Sequence, residues 1–196
     1  MKKLNYLRRF FLVIGPAILG AILIATFAGN AQAQNEQYTG NVVGVGGQLG
    51  GVVRPFTLRI DGHSSSSETS RAVALLAEGG QDALMREINK KDLGNFSMGA
   101  QLARDLNFVQ ETELAGGSKR IVILFERWLN LFEVRNGTRS EDYPFTYIEL
   151  TLDRNGHGEG QMIAAARVRF NKRANQIEVE NYGIYPARLT NVKLER

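Results

Sequence analysis

Apolar and polar residues alternate with a period of two in several segments of the chain. Phe56, Leu58 and Ile60 alternate with polar neighbours, and residues 148–152 repeat the pattern. This period is typical of a strand with one buried face. A third alternating run covers residues 162–170, whose even-numbered members we expect on one face of a strand. Residues 121–125 are apolar throughout, which indicates a strand that is covered on both sides.

The segment from residue 65 to residue 91 predicts helix instead. Ser65 and Glu68 have the spacing of a capping box, in which each side chain binds a free backbone N–H group of the first helical turn. Residues 69–78 carry apolar side chains on one side, and residues 81–91 follow after Gly79-Gly80. We therefore expect a hairpin of two helices, interrupted at the glycines.

These elements predict an α+β fold. The connections between strands are short and rich in turn residues, and Asn155-Gly156 is a strong hairpin signal, so neighbouring strands should pair antiparallel. We expect a twisted antiparallel sheet or partial β-barrel of about 7–8 strands, with the helical hairpin packed on one face. Polar residues 34–38 predict a loose lead-in to this domain.

The N-terminal residues have the organisation of a secretory signal. Basic residues near the start precede a continuous apolar stretch over residues 10–28, and Ala31-Gln32-Ala33 matches the pattern that a signal peptidase needs. We expect a signal peptide over residues 1–33, cleavage near Ala33, and a single exported domain over 34–196 that is periplasmic or secreted. The alternative is an uncleaved membrane anchor. Arg8-Arg9 resembles the twin-arginine export motif, but its flanks favour general secretion.

Removal of that segment changes the charge of the protein. It holds four of the 24 basic residues and none of the 20 acidic ones, so the rest of the chain is balanced in charge. Nucleic-acid binding begins with a basic surface, and we therefore expect no nucleic-acid partner. Membrane contact is expected only through the signal segment. The chain has no cysteine, which excludes disulfides, thiolate nucleophiles and Cys-ligated metals.

Motifs that suggest chemistry have simpler explanations here. The glycines of residues 44–51 precede a strand and not a helix, which argues against a phosphate loop. Asp153 to Glu159 resembles the start of a calcium loop, but the hairpin signal explains it better. The two histidines, His63 and His157, lie in polar loops and are expected to be solvated. No carboxylate can be singled out as catalytic, and we expect no metal and no cofactor.

A long connection between two strong strands carries the best candidates for recognition. Such loops with aromatic and arginine side chains are frequent contact surfaces. The residues that we predict to form one here are Trp128, Phe132, Arg139, Tyr143 and Phe145. The alternative is that the aromatic residues Trp128, Phe132 and Phe145 cover one end of the sheet.

Several stretches resemble a group of uncharacterised secreted bacterial proteins. They are RPFTL (54–58), GGQDAL (79–84), DYPF (142–145), AAARVRF (164–170), ENYG (180–183) and PARL (186–189). The resemblance implies export and one domain over most of the chain, and it implies no activity, ligand or catalytic residue.

Three hypotheses for the function follow. The leading one is an exported non-catalytic domain that binds an unknown ligand or envelope protein through the aromatic and arginine loop. The first alternative is a carrier of an apolar small molecule between sheet and helices. The second is a carboxylate-dependent hydrolase that acts on cell-envelope material, which needs two carboxylates facing each other across a cleft.

Overall fold

Ten strands and one α-helix make up the part of the chain that the structure, a computed structural model, describes: residues 35–45, 50–128, 142–173, 176–181 and 185–195. The helix is α1 (Ser66–Ile88). The strands are β1 (Glu36–Val43), β2 (Val53–Ile60), β3 (Gly94–Met98), β4 (Arg104–Asp105), β5 (Phe108–Glu113), β6 (Lys119–Glu126), β7 (Phe145–Leu152), β8 (Gly158–Asn171), β9 (Gln176–Asn181) and β10 (Ala187–Glu195).

All of these strands belong to one antiparallel sheet, so the predicted α+β class with an antiparallel sheet is confirmed. The strand order is β4-β3-β2-β1-β10-β8-β7-β6-β5, and β9 pairs with β8 beside this path. The predicted count of about 7–8 strands is wrong. It missed β3, whose alternation covers only five residues, and β4, which has two residues and is too short to show a pattern.

The sheet is rolled so that distant strands share one core. The rings of Phe96 in β3 and Phe125 in β6 lie 5.9 Å apart, although five strands separate β3 from β6 in the order. In a flat sheet these strands would be about 29 Å apart. One end of the path, β4, also contacts β6, the strand next to the other end, since Arg104 Nε donates a hydrogen bond to the Glu126 carbonyl over 3.2 Å.

Two apolar clusters lie on opposite faces of this rolled sheet. The inner cluster contains side chains from most strands, among them Leu58, Phe96, Ile121, Phe125 and Ile148. The outer cluster lies between the other face and α1, and its members include Leu76, Leu84, Phe108, Leu124, Phe145, Tyr147 and Val168. We call the corresponding sides of the sheet the inner and the outer face.

A bulge in β8 exchanges the faces of its residues. Phe145 pairs with Ala166, whereas Tyr147 pairs with Ile163, so β8 has one residue more than β7 between these pairs. Met162 consequently belongs to the inner cluster and Ala166 to the outer one. The prediction that the even-numbered residues of 162–170 share one face is therefore wrong.

The helical segment also differs from the prediction. The capping box of Ser65 and Glu68 is confirmed. The two predicted helices form one helical element, however, which is kinked at Gly80 where φ is 69° and ψ is −166°. A straight helix would separate Arg71 from Glu87 by about 24 Å. Their Nε and Oε1 atoms are 2.7 Å apart, so the second arm bends back towards the first.

Gly94 allows β2 and β3 to approach each other closely. Its φ is 125°, and a Cβ atom there would lie 2.0 Å from the carbonyl oxygen of Arg59. Only glycine has access to this conformation without a clash.

The described residues all fall within one compact unit, residues 32–196. None of their helices is both long enough and apolar enough to span a bilayer. The predicted signal segment, residues 1–33, lies outside the described residues.

Candidate functional site

An apolar groove lies between α1 and the outer face of the sheet. It encloses about 80 Å³. Its lining is formed by Thr69, Ala72, Val73, Leu76, Leu84, Phe108, Gln110, Val122, Leu124, Tyr147, Val168, Ile177 and Val179. Almost all of these side chains present carbon atoms, so the groove offers burial to an apolar group and few hydrogen bonds.

The strand register explains why the floor of the groove is apolar. Phe108 pairs with Leu124, and Leu124 pairs with Tyr147, so these three side chains form one row across the outer face. Ala72 and Leu84 of α1 pack over this row as members of the same cluster. The side chain of Ile177 is 44% exposed, so the groove is open to solvent where β9 borders it.

The C-terminal part of β8 forms one wall of the groove. Up to Ala166 this strand pairs with β7 or β10, but residues 167–171 pair with β9 alone within the described chain. We call residues 167–171 and β9 the overhang. Val168 and Val179 are paired in the overhang and line the groove, whereas Arg169 forms ion pairs with Glu178 and Glu180.

A polar group of four residues adjoins the groove, and we call Arg120, Tyr147, Glu149 and Gln161 the polar quartet. The Tyr147 hydroxyl donates to Glu149 Oε2 over 2.5 Å, and Gln161 Nε2 donates to the same oxygen over 3.3 Å. Arg120 Nε lies 2.7 Å from Glu149 Oε1. That nitrogen is buried, and its N–H forms no hydrogen bond of good geometry with any residue that the structure describes.

Two members of the quartet, Tyr147 and Arg120, have raised pKa values. Burial, followed by the hydrogen bond to Glu149, raises the pKa of Tyr147, so the phenol is neutral. Burial lowers the pKa of Arg120, but the interactions with Glu149 and Tyr147 together outweigh this effect, so the net shift of the pKa is upwards. The quartet therefore presents one cation paired with one anion.

A second polar group, the inner polar cluster, consists of Glu36, Tyr38, His63, Glu111 and Lys119. Lys119 Nζ donates to Glu36 Oε1 over 3.0 Å and to Glu111 Oε2 over 2.8 Å. The Tyr38 hydroxyl donates to Glu36 Oε2 over 2.7 Å. His63 Nε2 lies 3.6 Å from Glu111 Oε2, so this histidine, predicted to be solvated, approaches a carboxylate.

The inner polar cluster contains three groups that could ligate a metal ion. One ligand atom each from Glu36, His63 and Glu111 lies within 4.8 Å of the others. The Lys119 ammonium, however, already binds both carboxylates. Burial lowers the pKa of Lys119. Hydrogen bonds, first that with Glu111, raise the pKa by more than burial lowers it, so the side chain is a cation at neutral pH. This arrangement supplies its own counter-charge, and it explains the cluster as part of the structure.

The predicted recognition residues occupy different environments. Phe145 is fully buried in the outer cluster and has no exposed surface for contact. Trp128 packs on the inner cluster, with its ring edge-on to Phe125 at 5.5 Å, and its Nε1 donates to the Leu102 carbonyl over 3.0 Å. Phe132 and Arg139 lie outside the described residues.

Tyr143 contacts charged and polar groups. It is half-buried, and the guanidinium carbon of Arg167 lies 5.2 Å from its ring centroid. Arg167 also donates to Asp142 Oδ1 over 2.6 Å. Tyr143 is therefore held against β8 by a cation–π contact that sequence spacing does not reveal.

Sequence reasoning missed Arg127 as well as the two polar groups. Arg127 is 6% exposed, and its Nε donates to the Tyr143 carbonyl over 2.8 Å, so it joins β6 to the residues that precede β7. Glu36 was missed because residues 34–38 were predicted to be a loose lead-in, whereas β1 begins at Glu36. That prediction is wrong for Glu36 to Tyr38.

The motif at Asp153 behaves as a turn, as predicted. Asp153 Oδ1 accepts hydrogen bonds from the backbone N–H groups of Asn155 and His157, over 2.8 and 2.9 Å. The turn joins β7 to β8, and these strands pair antiparallel. The carboxylate is thus used by the hairpin itself.

Comparisons with known proteins found no match. Neither protein-family models, nor curated proteins, nor solved structures matched this chain. The resemblance to secreted bacterial proteins stays a prediction, and the functional argument depends on the geometry of the chain.

Proposed function

We propose that this protein is a non-catalytic carrier that binds a small apolar molecule, or a short alkyl group, in the groove between α1 and the sheet. The observation that carries the proposal is an almost wholly apolar cavity that is open to solvent beside Ile177. When an apolar ligand displaces water from apolar surface left uncovered in this way, the free energy of the system falls, which favours binding.

The size of the groove limits the ligand. Its volume of about 80 Å³ is well below the roughly 150 Å³ of an engineered cavity that holds benzene, and below the roughly 300 Å³ of the smallest typical drug pockets. A chain of a few methylene groups therefore fills it. Each buried methylene contributes about 0.8 kcal/mol, which is roughly a fourfold gain in affinity. Dissociation constants of about 1 mM are expected for short chains.

Binding of n-alkanols of increasing length to the purified protein tests the proposal. Methyl resonances of groove residues such as Leu84, Leu124 and Val168 are followed by NMR during the titration. We expect these signals to shift, with roughly fourfold tighter binding per added methylene until the groove is full. Absence of shifts in the groove, or shifts spread evenly over the surface, contradicts the proposal.

A matched pair of variants localises the binding. Ala72→Phe places a ring in the groove, and Ala74→Phe makes the same change at an exposed position of the same helix. We expect Ala72→Phe to weaken alkanol binding about tenfold or more, and Ala74→Phe to leave it unchanged. Equal effects of the two changes would place the binding elsewhere.

The other hypotheses from the sequence stay predictions. The aromatic and arginine contact surface depends on Phe132 and Arg139, which lie outside the described residues. Among the described residues, Glu36 and Glu111 have carboxylate oxygens within 4.8 Å of each other, but Lys119 binds both of them. Export of the carrier after cleavage near Ala33 remains part of the proposal.

A further inference from the structure

We propose that one end of the rolled sheet docks onto a membrane that contains anionic lipids, with apolar side chains entering the bilayer and arginines binding the headgroups. The inference goes beyond the proposed function and does not depend on the groove. The sequence predicts membrane contact only through residues 1–33, so this surface adds a second contact. We call it the rim surface, and its members are Val52, Val53, Arg54, Leu102, Tyr185 and Arg188.

The strand register brings three members of the rim surface to the same end of the sheet. Val53 of β2 pairs with Val43 of β1, and Val43 pairs with Arg188 of β10. Paired residues of antiparallel strands point to the same face, so Val53 and Arg188 share a face about 10 Å apart. Tyr185 precedes the first residue of β10 by two positions, at the same end of that strand.

The connection from β3 to β4 adds Leu102 to this end. The Gly99 N–H donates to the Pro55 carbonyl over 2.8 Å, which holds the connection beside the start of β2. A Cβ atom at Gly99 would lie 3.8 Å from Arg54 Cδ, so this arginine adjoins the same connection. The Leu102 carbonyl accepts the hydrogen bond from Trp128 Nε1, which fixes the backbone of the connection while the leucine side chain projects into solvent.

The rim surface concentrates exposed apolar side chains. Six large apolar side chains are exposed among the residues that the structure describes, and four of them belong to the rim surface: Val52, Val53, Leu102 and Tyr185. The side chain of Leu102 is 86% exposed. A single exposed apolar residue is ordinary on a soluble protein, whereas several at one place mark a surface that binds something.

The charge of this end is positive. Residues 41–45, 50–58, 94–104 and 185–192 contain Arg54, Arg104 and Arg188 and no carboxylate. Arg104 pairs with Glu126, whereas Arg54 and Arg188 are exposed and form no ion pair with any residue that the structure describes. The chain after residue 33 is balanced in charge, so this excess is local. Exposed arginines beside apolar side chains complement an anionic lipid surface.

The backbone of the rim surface also suits a bilayer. The Gly44 N–H donates to the Val52 carbonyl over 2.8 Å, the Gly51 N–H to the Gly44 carbonyl over 3.0 Å, and the Gln101 N–H to the Met98 carbonyl over 3.1 Å. Backbone groups that approach the hydrocarbon region must be paired within the protein. The exposed apolar side chains come from three different connections between strands, and a fluid bilayer accommodates separate projections that a protein partner would have to match in shape.

Fluorescence of Trp128 measures the docking. It is the single tryptophan of the chain, and its indole binds the Leu102 carbonyl. Lipids with brominated acyl chains quench a tryptophan that comes close to them. We expect brominated phosphatidylglycerol vesicles to quench Trp128 of the exported protein, with a midpoint lipid concentration about tenfold or more below that of brominated phosphatidylcholine.

Two variants of the rim surface have matched controls at the opposite end of the sheet. On phosphatidylglycerol, Arg54→Gln should raise the midpoint about fivefold, and Leu102→Ser about tenfold. Arg154→Gln and Leu114→Ser make the same changes at exposed positions of the connections after β7 and β5, and they should leave the midpoint unchanged. All these proteins share one N-terminus, so a difference between them isolates the rim surface from residues 1–33.

Three results would overturn the inference. Equal midpoints for the two lipids would mean that anionic headgroups are not recognised. Equal effects of the rim variants and their controls would place the contact elsewhere on the chain. Absence of quenching by either lipid would mean that the rim surface contacts a protein and not a bilayer. Each of these results leaves the groove function standing, because the alkanol titration tests that function separately.

Discussion

The two faces of the rolled sheet differ in how completely their apolar side chains are covered. On the inner face, large side chains such as Phe96, Phe125 and Ile148 are fully buried in one cluster. On the outer face, the kinked α1 and the overhang cover the apolar row only in part and leave a groove. Small rolled sheets hold either side chains or a ligand inside them. Here the inside is filled with side chains, and the open groove lies outside, under the helix.

The same substitution on the two faces gives the largest expected effect. Phe125→Ala removes a ring that is fully buried in the inner cluster, and we expect the free energy of unfolding to fall by about 3–5 kcal/mol. Phe108→Ala removes a ring that borders the groove, where neighbouring atoms can relax into the space. Its cost should be smaller, about 2 kcal/mol. Urea unfolding of both variants measures the difference, and equal losses would contradict the contrast between the faces.

Loss of Lys119 tests the polar part of the inner face. Lys119→Met leaves Glu36 and Glu111 facing each other without a counter-charge. We expect the free energy of unfolding, measured with urea at pH 7, to fall by about 2 kcal/mol. Removing one partner of a fully buried ion pair costs about 3–5 kcal/mol, and the loss is smaller here because these groups keep some contact with water.

Lys193→Met is the control for this substitution. Lys193 pairs with Glu195 over 3.1 Å, but its side chain is exposed, so the loss should stay below about 1 kcal/mol. A similar loss in both variants would show that the inner polar cluster behaves as an ordinary surface.

Alkaline pH should weaken both faces through their buried phenols. Burial raises the pKa of Tyr38 on the inner face and of Tyr147 on the outer face above the usual value near 10. The neutral phenols stabilise the fold below that pH, and this contribution is lost as the pH rises towards the raised values. We expect stability to fall by about 1 kcal/mol per pH unit for each phenol above pH 10. In Tyr38→Phe, the free energy of unfolding measured with urea should fall less steeply with pH above about 10. An unchanged slope would contradict the raised pKa of Tyr38.

The smallest effect is expected from Glu68, at the start of α1. The hydrogen bond from Lys91, followed by that from the Ser65 backbone, lowers the pKa of Glu68 to about 2. The carboxylate therefore stabilises the fold above its usual pKa of 4.5, and this contribution is lost as the pH falls towards 2. Because the side chain is 43% exposed, solvent screens the interaction, and we expect Glu68→Gln to cost less than about 1 kcal/mol at pH 7. The difference from wild type should shrink at pH 3. A loss above about 2 kcal/mol would mean that α1 depends on its N-terminal end far more than its exposure suggests.

Local patterns in the sequence predicted most of the strands and the start of the helix. Phe56, Leu58 and Ile60 are buried on the same face of β2, as their alternation predicts. The capping box at Ser65 and the turn at Asn155-Gly156 also form where the sequence predicts them. These features depend on residues within a few positions of one another, so a local pattern is sufficient to find them.

Features that depend on distant residues were not predictable in this way. The inner polar cluster joins Glu36, Glu111 and Lys119 from three strands, and nothing local to any of them indicates the others. The bulge in β8 follows from its pairing with β7, and it breaks the alternation that the sequence displays over residues 162–170. The groove is set by how completely α1 covers the sheet. Packing of this kind is a property of the assembled layers, and no segment encodes it alone.

The close contact at Gly94 restricts how the sequence can change in evolution. A side chain of any size there would collide with the Arg59 carbonyl and force β2 away from β3. Descendants of this sequence that keep the fold must therefore keep glycine at this point, however far the rest of the surface diverges. A glycine at the first position of β3 is thus a marker by which distant relatives of this domain can be recognised.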